Sequence, residues 1–564
     1  MAGIEMTIAP RDPRVVMRLA RMGSFHQTRL SFMRILLRRL KAENWRFDIP
    51  VFDIDARGQG VAVYSAHGPD RSYSLIAFAN DLPPEKRSDR VIATEWDATF
   101  TLFDGVPEQA DIERLRANVP LQEAGRISER ELSLSRANRS VRLWDHVVER
   151  LASGQQPDTE MVEQVGYLMR TTAVYGSGKF GAADREVVMD RPEFQAPFQV
   201  EMLSVFLTRA FVMDLVEHMA RLRTPDTAVS LDPALRRRFG IGNSTGLGMA
   251  PFLINHPVLL NNWMAVREEA LARVRSLPHA TDEAIAEFTA HVARAQENAR
   301  IWRSEHPVQV EKLAELRDDL TALAGHITQK DWTTPMPWNR LWHWAEDALG
   351  LEGQEALLSL MLEPHGALVD GLECCLAADE AAHRRIDGTV NVAQMRASVE
   401  ENYDWALGID WARSETQARV WYTSEEKLEP RLEDDATGEI AAYALPLCPG
   451  RDVALFHSDL QRADADEPLA AFLMRHPEHR HIARRAQIVA RFPYAEIRDN
   501  TIAADMLPID LLRAKLSCFG ATHFDPRSDR WVRINMFRGA PFPGDLAAGE
   551  ADNWMAPALQ EQSR

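Results

Sequence analysis

The chain is expected to fold as an α+β protein that is mainly α, with a central multi-helix region flanked by N-terminal and C-terminal units containing antiparallel β-structure. Three observations lead there. Short runs rich in β-branched and aromatic residues, separated by turn formers, fill the first hundred residues. Apolar residues at spacings of three and four then dominate to about residue 400. Strand-like runs return beyond that point, interleaved with short helical ones. A chain of 564 residues exceeds one ordinary hydrophobic core. The expected units are 1–110, 111–400 and 401–564.

In the first unit, 13–43 has helical periodicity, and 46–54, 60–65, 73–78 and 90–103 read as strands. In the second, helices are expected at 140–151, 161–174, 200–222, 259–276, 281–305, 308–327, 337–349, 355–387 and 392–401. In the third, 403–411 with 418–423 reads as a hairpin and 531–537 as a strand. Helices are expected there at 469–475, 481–492 and 507–518.

Composition narrows the function classes. A formal net charge of −18 repels phosphate backbones, so no nucleic-acid partner is expected. The arginine clusters 38–39 and 236–238 read as solvated helix ends. The most apolar segment, 200–222, carries Glu201, Arg209, Asp214, Glu217, His218 and Arg221, too many ionisable groups for a membrane span. Four cysteines without a CxxC pair fit a reducing, cytoplasmic setting, and Cys374, Cys375 and Cys518 sit in apolar contexts that favour inert thiols. The chain's length leaves room for a homo-oligomer.

Several segments could carry chemistry. Gly240-Ile-Gly242-Asn243-Ser244-Thr245-Gly246-Leu-Gly248 reads as a glycine-rich loop whose backbone N–H groups and polar side chains suit a phosphate, a carboxylate or a developing oxyanion. Tyr175-Gly-Ser177-Gly-Lys179 offers hydrogen-bond donors and a cation; Ala173 and Phe180 stand where a phosphate-binding P-loop needs Gly and Ser or Thr. Asp214 and His218, four residues apart on one helix, suggest a carboxylate-oriented general base with Glu217 beside it. Arg498 could clamp a carboxylate.

For metals, Glu380 and His383 have the Glu-x-x-His spacing of di-iron bundles, with Glu352, Glu355 and Glu363 as further carboxylates, and His476, His479 and His481 form a possible zinc cluster or a charged helix start.

The expectation is an enzyme of small-molecule metabolism acting on an anionic carboxylate or thioester by general acid–base catalysis, of lyase, isomerase or hydrolase type. His218 would move the proton and Lys179 would neutralise charge. No cofactor is assigned. The alternatives are a non-enzymatic scaffold or regulatory subunit, using the tryptophan-rich stretch 332–344 as an interface, and a di-iron oxygenase.

Overall fold

The computed structural model describes residues 7–83, 95–121, 126–172, 188, 190–246, 256–378, 381–383, 385–412, 449–498, 517–521, 523–528 and 531–548. The first three strands form where the sequence places them, β1 (Arg46–Ile54), β2 (Gly60–His67) and β3 (Ser72–Ala79), and the fourth, expected at 90–103, is β4 (Ala98–Asp104), with 95–97 outside it and 90–94 outside the described residues. They pair as an antiparallel meander. The sheet does not stop there. β5 (Glu131–Arg139), β6 (Tyr167–Thr171) and β7 (Gly240–Gly246) extend it, and β8 (His523–Ser528) and β9 (Trp531–Met536) complete it in the order β1-β2-β3-β4-β5-β6-β7-β9-β8. Among the described residues all neighbours are antiparallel except β6 and β7. One sheet therefore draws strands from all three expected units.

Five helices accompany the sheet: α1 (Phe32–Ala42), α2 (Gln109–Arg116), α3 (Trp144–Ala152), α4 (Thr159–Val165) and α5 (Gln199–Arg223). One face of the sheet presents small residues, Ala62, Ala77, Ala79, Ala98 and Ala137, all buried in the main core. Small side chains let a helix lie close, and α5 crosses β2 to β7 over this face. At 25 residues it spans about 37 Å. The opposite face packs Val61, Val63, Ile76, Phe78, Phe103 and Leu134 against Ile112 and Leu115 of α2.

Arg209, in the middle of α5, is fully buried. Its Nε donates to Phe239 O at 2.7 Å, Nη1 to Ala540 O at 2.9 Å and Nη2 to Arg237 O at 3.2 Å. The guanidinium also lies 3.8 Å over the Phe542 ring. Backbone carbonyl dipoles, rather than a hydrogen-bonded carboxylate, compensate this charge, and they belong to the segments that enter β7 and leave β9.

The helical region follows. α6 (Pro233–Arg238) precedes β7; α7 (Pro257–Arg275), α8 (Asp282–Ile301), α9 (Pro307–Gln329), α10 (Pro337–Ala348) and α11 (Leu351–Leu362) form the centre. Trp338 and Trp342 are completely buried there, so the tryptophan-rich stretch is largely core instead of a docking face. A second apolar cluster, with Val399, Tyr403, Phe456, Phe472 and Ile482, is built by α12 (Val392–Asn402), α13 (Pro449–Arg462), α14 (Leu469–Arg475) and α15 (Arg480–Arg491).

Several expected elements differ. The 13–43 helix is interrupted: Pro13–Val16 and Leu19–Arg21 are single turns, and an irregular stretch precedes α1. The 161–174 helix stops at Gly166, whose φ of +70° ends α4 before β6. The 355–387 helix ends at Leu362, because Pro364 has no N–H to continue the ladder. Residues 404–407 are helical, not half of a hairpin; 418–423 lie outside the described residues. Among the described residues no helix is long and apolar enough to cross a membrane.

The N-terminal segment is fastened by charge. Arg11 reaches Glu268 of α7 at 2.7 Å and Glu355 of α11 at 2.9 Å. Arg267 binds the same two carboxylates at 2.9 and 3.1 Å. Burial alone would raise the Glu268 carboxyl, but the charges of Arg11 and Arg267 outweigh it and hold the group at about 2.

Removing the Arg209 head group leaves several buried carbonyls unsatisfied. Arg209→Met is expected to destabilise the protein by about 3–5 kcal/mol, measured by denaturant unfolding. Stability within 1 kcal/mol of the parent would show that these carbonyls find other partners.

Candidate functional site

The acid–base pair expected on α5 is present by spacing but not by bonding. Asp214 accepts from the Tyr64 hydroxyl at 2.8 Å and from Arg236 Nη2 at 2.6 Å. Burial, then the Asp214 charge, pushes the Tyr64 hydroxyl well above its ordinary range. Glu217 accepts from Arg221, from Arg236 Nη1 and from the Leu231 N–H. His218 Nε2 lies 2.9 Å from Ile54 O, so this nitrogen carries the proton. Among the described residues no hydrogen bond or ion pair joins Asp214 to His218. Arg236 is therefore a bridge over α5, and Arg238 is buried beside Glu163; the 236–238 cluster is not a solvated helix end. Arg38 and Arg39 likewise engage Asp370 and Glu43.

The glycine-rich loop expected at 240–248 is, through Gly246, strand β7. Its backbone is committed to ladders with β6 and β9. A Cβ on Gly242 would lie 2.6 Å from the Tyr167 ring, so glycine here serves strand packing. Asn243 is buried and donates its amide to Thr171 O at 3.0 Å, satisfying the last carbonyl of β6. Ser244 and Thr245 continue the strand. Tyr175, Ser177 and Lys179, and Gly248, lie outside the described residues.

Arg498 is buried, its N–H donating to Met17 O at 2.6 Å. Burial lowers its proton affinity, and Arg14, Asp404 and Tyr403 surround it. It belongs to the junction of the N-terminal segment with the second helical cluster. His383 packs edge-on against Phe492; Glu380 lies outside the described residues. The further carboxylates of the di-iron expectation are engaged elsewhere. Glu352 accepts from the Phe25 N–H, Glu355 is held by arginines, and Glu363 is forked by Arg34. Cys374 and Cys375 are exposed with their sulfurs 3.8 Å apart, so they are not shielded by an apolar helix; Cys518 is buried.

The most unusual site was not signalled by any motif. Residues 24–31 form an irregular segment packed almost wholly inside the protein, where backbone and side-chain polar groups must find partners. Ser24 Oγ donates to His26 O at 3.0 Å, and the Ser24 N–H reaches Ser517 Oγ at 3.1 Å. His26 Nδ1 donates to Gln27 O at 2.8 Å. On α1, Arg34 forks Glu363 at 2.5 and 2.6 Å, and His26 and His291 lie within its electrostatic reach.

Around this segment Gln27 Oε1, Ser31 Oγ and Gln199 Oε1 are buried without a hydrogen-bond partner. Gly520, at φ +91°, stands so close that a Cβ would lie 2.7 Å from Ser31 Oγ. Phe198 adopts a left-handed φ of +60° at the head of α5 and packs on Phe519 and Phe32. Unmatched hydrogen-bonding atoms, left-handed backbone and shifted titration each call for an explanation, and all three cluster at active sites.

Burial pushes His26 down to about 4, against the opposing pull of Glu363, and lowers His291 as well. Burial raises the Glu363 carboxyl, but Arg34 overrides it and keeps the group at about 2. At neutral pH the site thus holds two uncharged imidazoles beside a closed Arg–Glu pair. A neutral imidazole can accept a proton or donate its N–H.

The shift has a sign for stability. The unfolded chain protonates His26 near 6.5 and the folded one near 4, so acid favours unfolding across that window. Stability should fall by about 1 kcal/mol per pH unit between pH 6.5 and 4, and the slope should flatten in His26→Asn. An unchanged slope in urea titrations of that variant would place the effect elsewhere. No family model, curated protein or solved structure matches the chain.

Proposed function

We propose that the chain is an enzyme of small-molecule metabolism that moves a proton on a substrate bearing an anionic group, by lyase, isomerase or hydrolase chemistry. The observation that carries this is the buried 24–31 segment: hydrogen-bonding atoms of Gln27 and Ser31 without protein partners, next to the uncharged His26. His26 takes the acid–base role first given to His218, whose Nε2–H is tied to Ile54 O. Gln27, Ser31 and Gln199 orient the substrate. Lys179, on the glycine-rich string that follows β6 in sequence, receives its anionic group. The scaffold alternative loses support because Trp338 and Trp342 are buried within the chain itself.

The test begins with thermal-shift screening of carboxylates, phosphate esters and acyl thioesters, followed by a turnover assay on the stabilising compound. His26→Asn is expected to lower kcat by about 100-fold or more while His218→Ala retains activity. The reverse pattern would return the proton transfer to His218. No stabilising compound in any class would remove the enzymatic proposal.

A further inference from the structure

Far from this segment in sequence, the second helical cluster gathers four metal-ligating side chains. Asp459 projects from α13; His476, Glu478 and His479 lie on the turn between α14 and α15. One ligand atom from each falls within 4.8 Å of all the others. His479 Nε2 is 2.8 Å from Asp459 Oδ2, and His476 Nδ1 is 3.3 Å from Glu478 Oε1. Across a tetrahedral zinc ion with bonds of about 2.0–2.1 Å, ligand atoms stand about 3.3 Å apart, so small rotations would bring this set onto one centre.

The surroundings favour that use. The His476 ring stacks on Phe472 at 4.6 Å and the His479 ring packs on Phe456 at 5.3 Å, which fixes both imidazoles. Arg462 binds Asp459 Oδ1 at 3.0 Å, leaving Oδ2 turned toward the histidines. One heptad earlier on α13, Asp452 Oδ2 faces His481 Nε2 at 3.7 Å, and both atoms are buried without a hydrogen-bond partner. Helix α13 thus presents aspartates to histidines at two places about 10 Å apart, one on the α14–α15 turn and one on the first turn of α15.

We propose that Asp459, His476, Glu478 and His479 bind a divalent transition-metal ion, zinc by preference, which staples α13 to the α14–α15 turn. Two imidazoles and two carboxylates suit zinc better than calcium or magnesium, which take oxygen ligands. Four protein ligands close the coordination sphere, the pattern of a structural site. Binding displaces protons from the imidazoles, so affinity falls with acid.

Cobalt(II) titrated into the chelator-treated full-length protein reports the geometry through its visible absorption. The expected result is an intense tetrahedral spectrum saturating at one equivalent, erased by zinc, with zinc also raising Tm. Glu478→Gln alters an exposed side chain and His476→Gln a half-buried one; each should weaken cobalt binding at least tenfold while far-UV circular dichroism stays as in the parent. A Cys374→Ser/Cys375→Ser variant should bind as the parent does. No binding at one equivalent, affinity unchanged in both ligand variants, or loss in the cysteine variant would overturn the assignment.

Discussion

Everything in the sheet half of the molecule depends on α5 lying across it. A buried charge is costly unless it is met, and three of the ionisable residues of this helix have identifiable partners. Arg209 is answered by carbonyls, Asp214 by Tyr64 and Arg236, and Glu217 by Arg221 and Arg236. The alanines beneath it make the approach possible; the arginines above it fix the register. Alanine rows and a bridging arginine work as one device, since a helix that could slide along the sheet would strand every one of these groups in apolar surroundings.

The chemistry visible in the sequence was local, and the chemistry in the structure is not. Asp214 and His218 share a helical face, as their spacing requires, yet each is claimed by a group more than twenty residues away. The 24–31 segment is the extreme case. Arg34 meets Glu363 across 329 residues and Ser24 meets Ser517 across 493. No window of sequence contains both partners. The only local trace was a run of hydrogen-bonding side chains, Ser24, His26, Gln27, Thr28 and Ser31, ahead of an apolar helix.

Secondary structure was legible where one period held for a whole element. β1 to β3 alternate between turn formers, and α14 carries a compact apolar stripe; these positions agree with the structure. β6 and β7 escaped notice for opposite reasons. Leu168 and Met169 suit a helix as well as a strand, and only Gly166 separates β6 from α4. β7 is Gly-Ile-Gly-Asn-Ser-Thr-Gly, a composition with poor strand propensity that is stabilised by its neighbours. Its glycines mark close packing instead of a free loop, a distinction that depends on where Tyr167 sits.

The strand order carries a consequence for how the chain comes off the ribosome. β7 is finished by residue 246, yet its partner β9 begins at residue 531, with nearly the whole helical region synthesised between them. Until then β7 is an open edge, and the carbonyls that Arg209 will bind near residue 540 do not exist. Until that point the N-terminal strands have an unpaired edge, and Arg209 has its carbonyl partners at Arg237 and Phe239 but lacks the one at Ala540. The sheet edge at β7 closes only when residues 531–540 have been made, and an edge left open that long is exposed to wrong pairing.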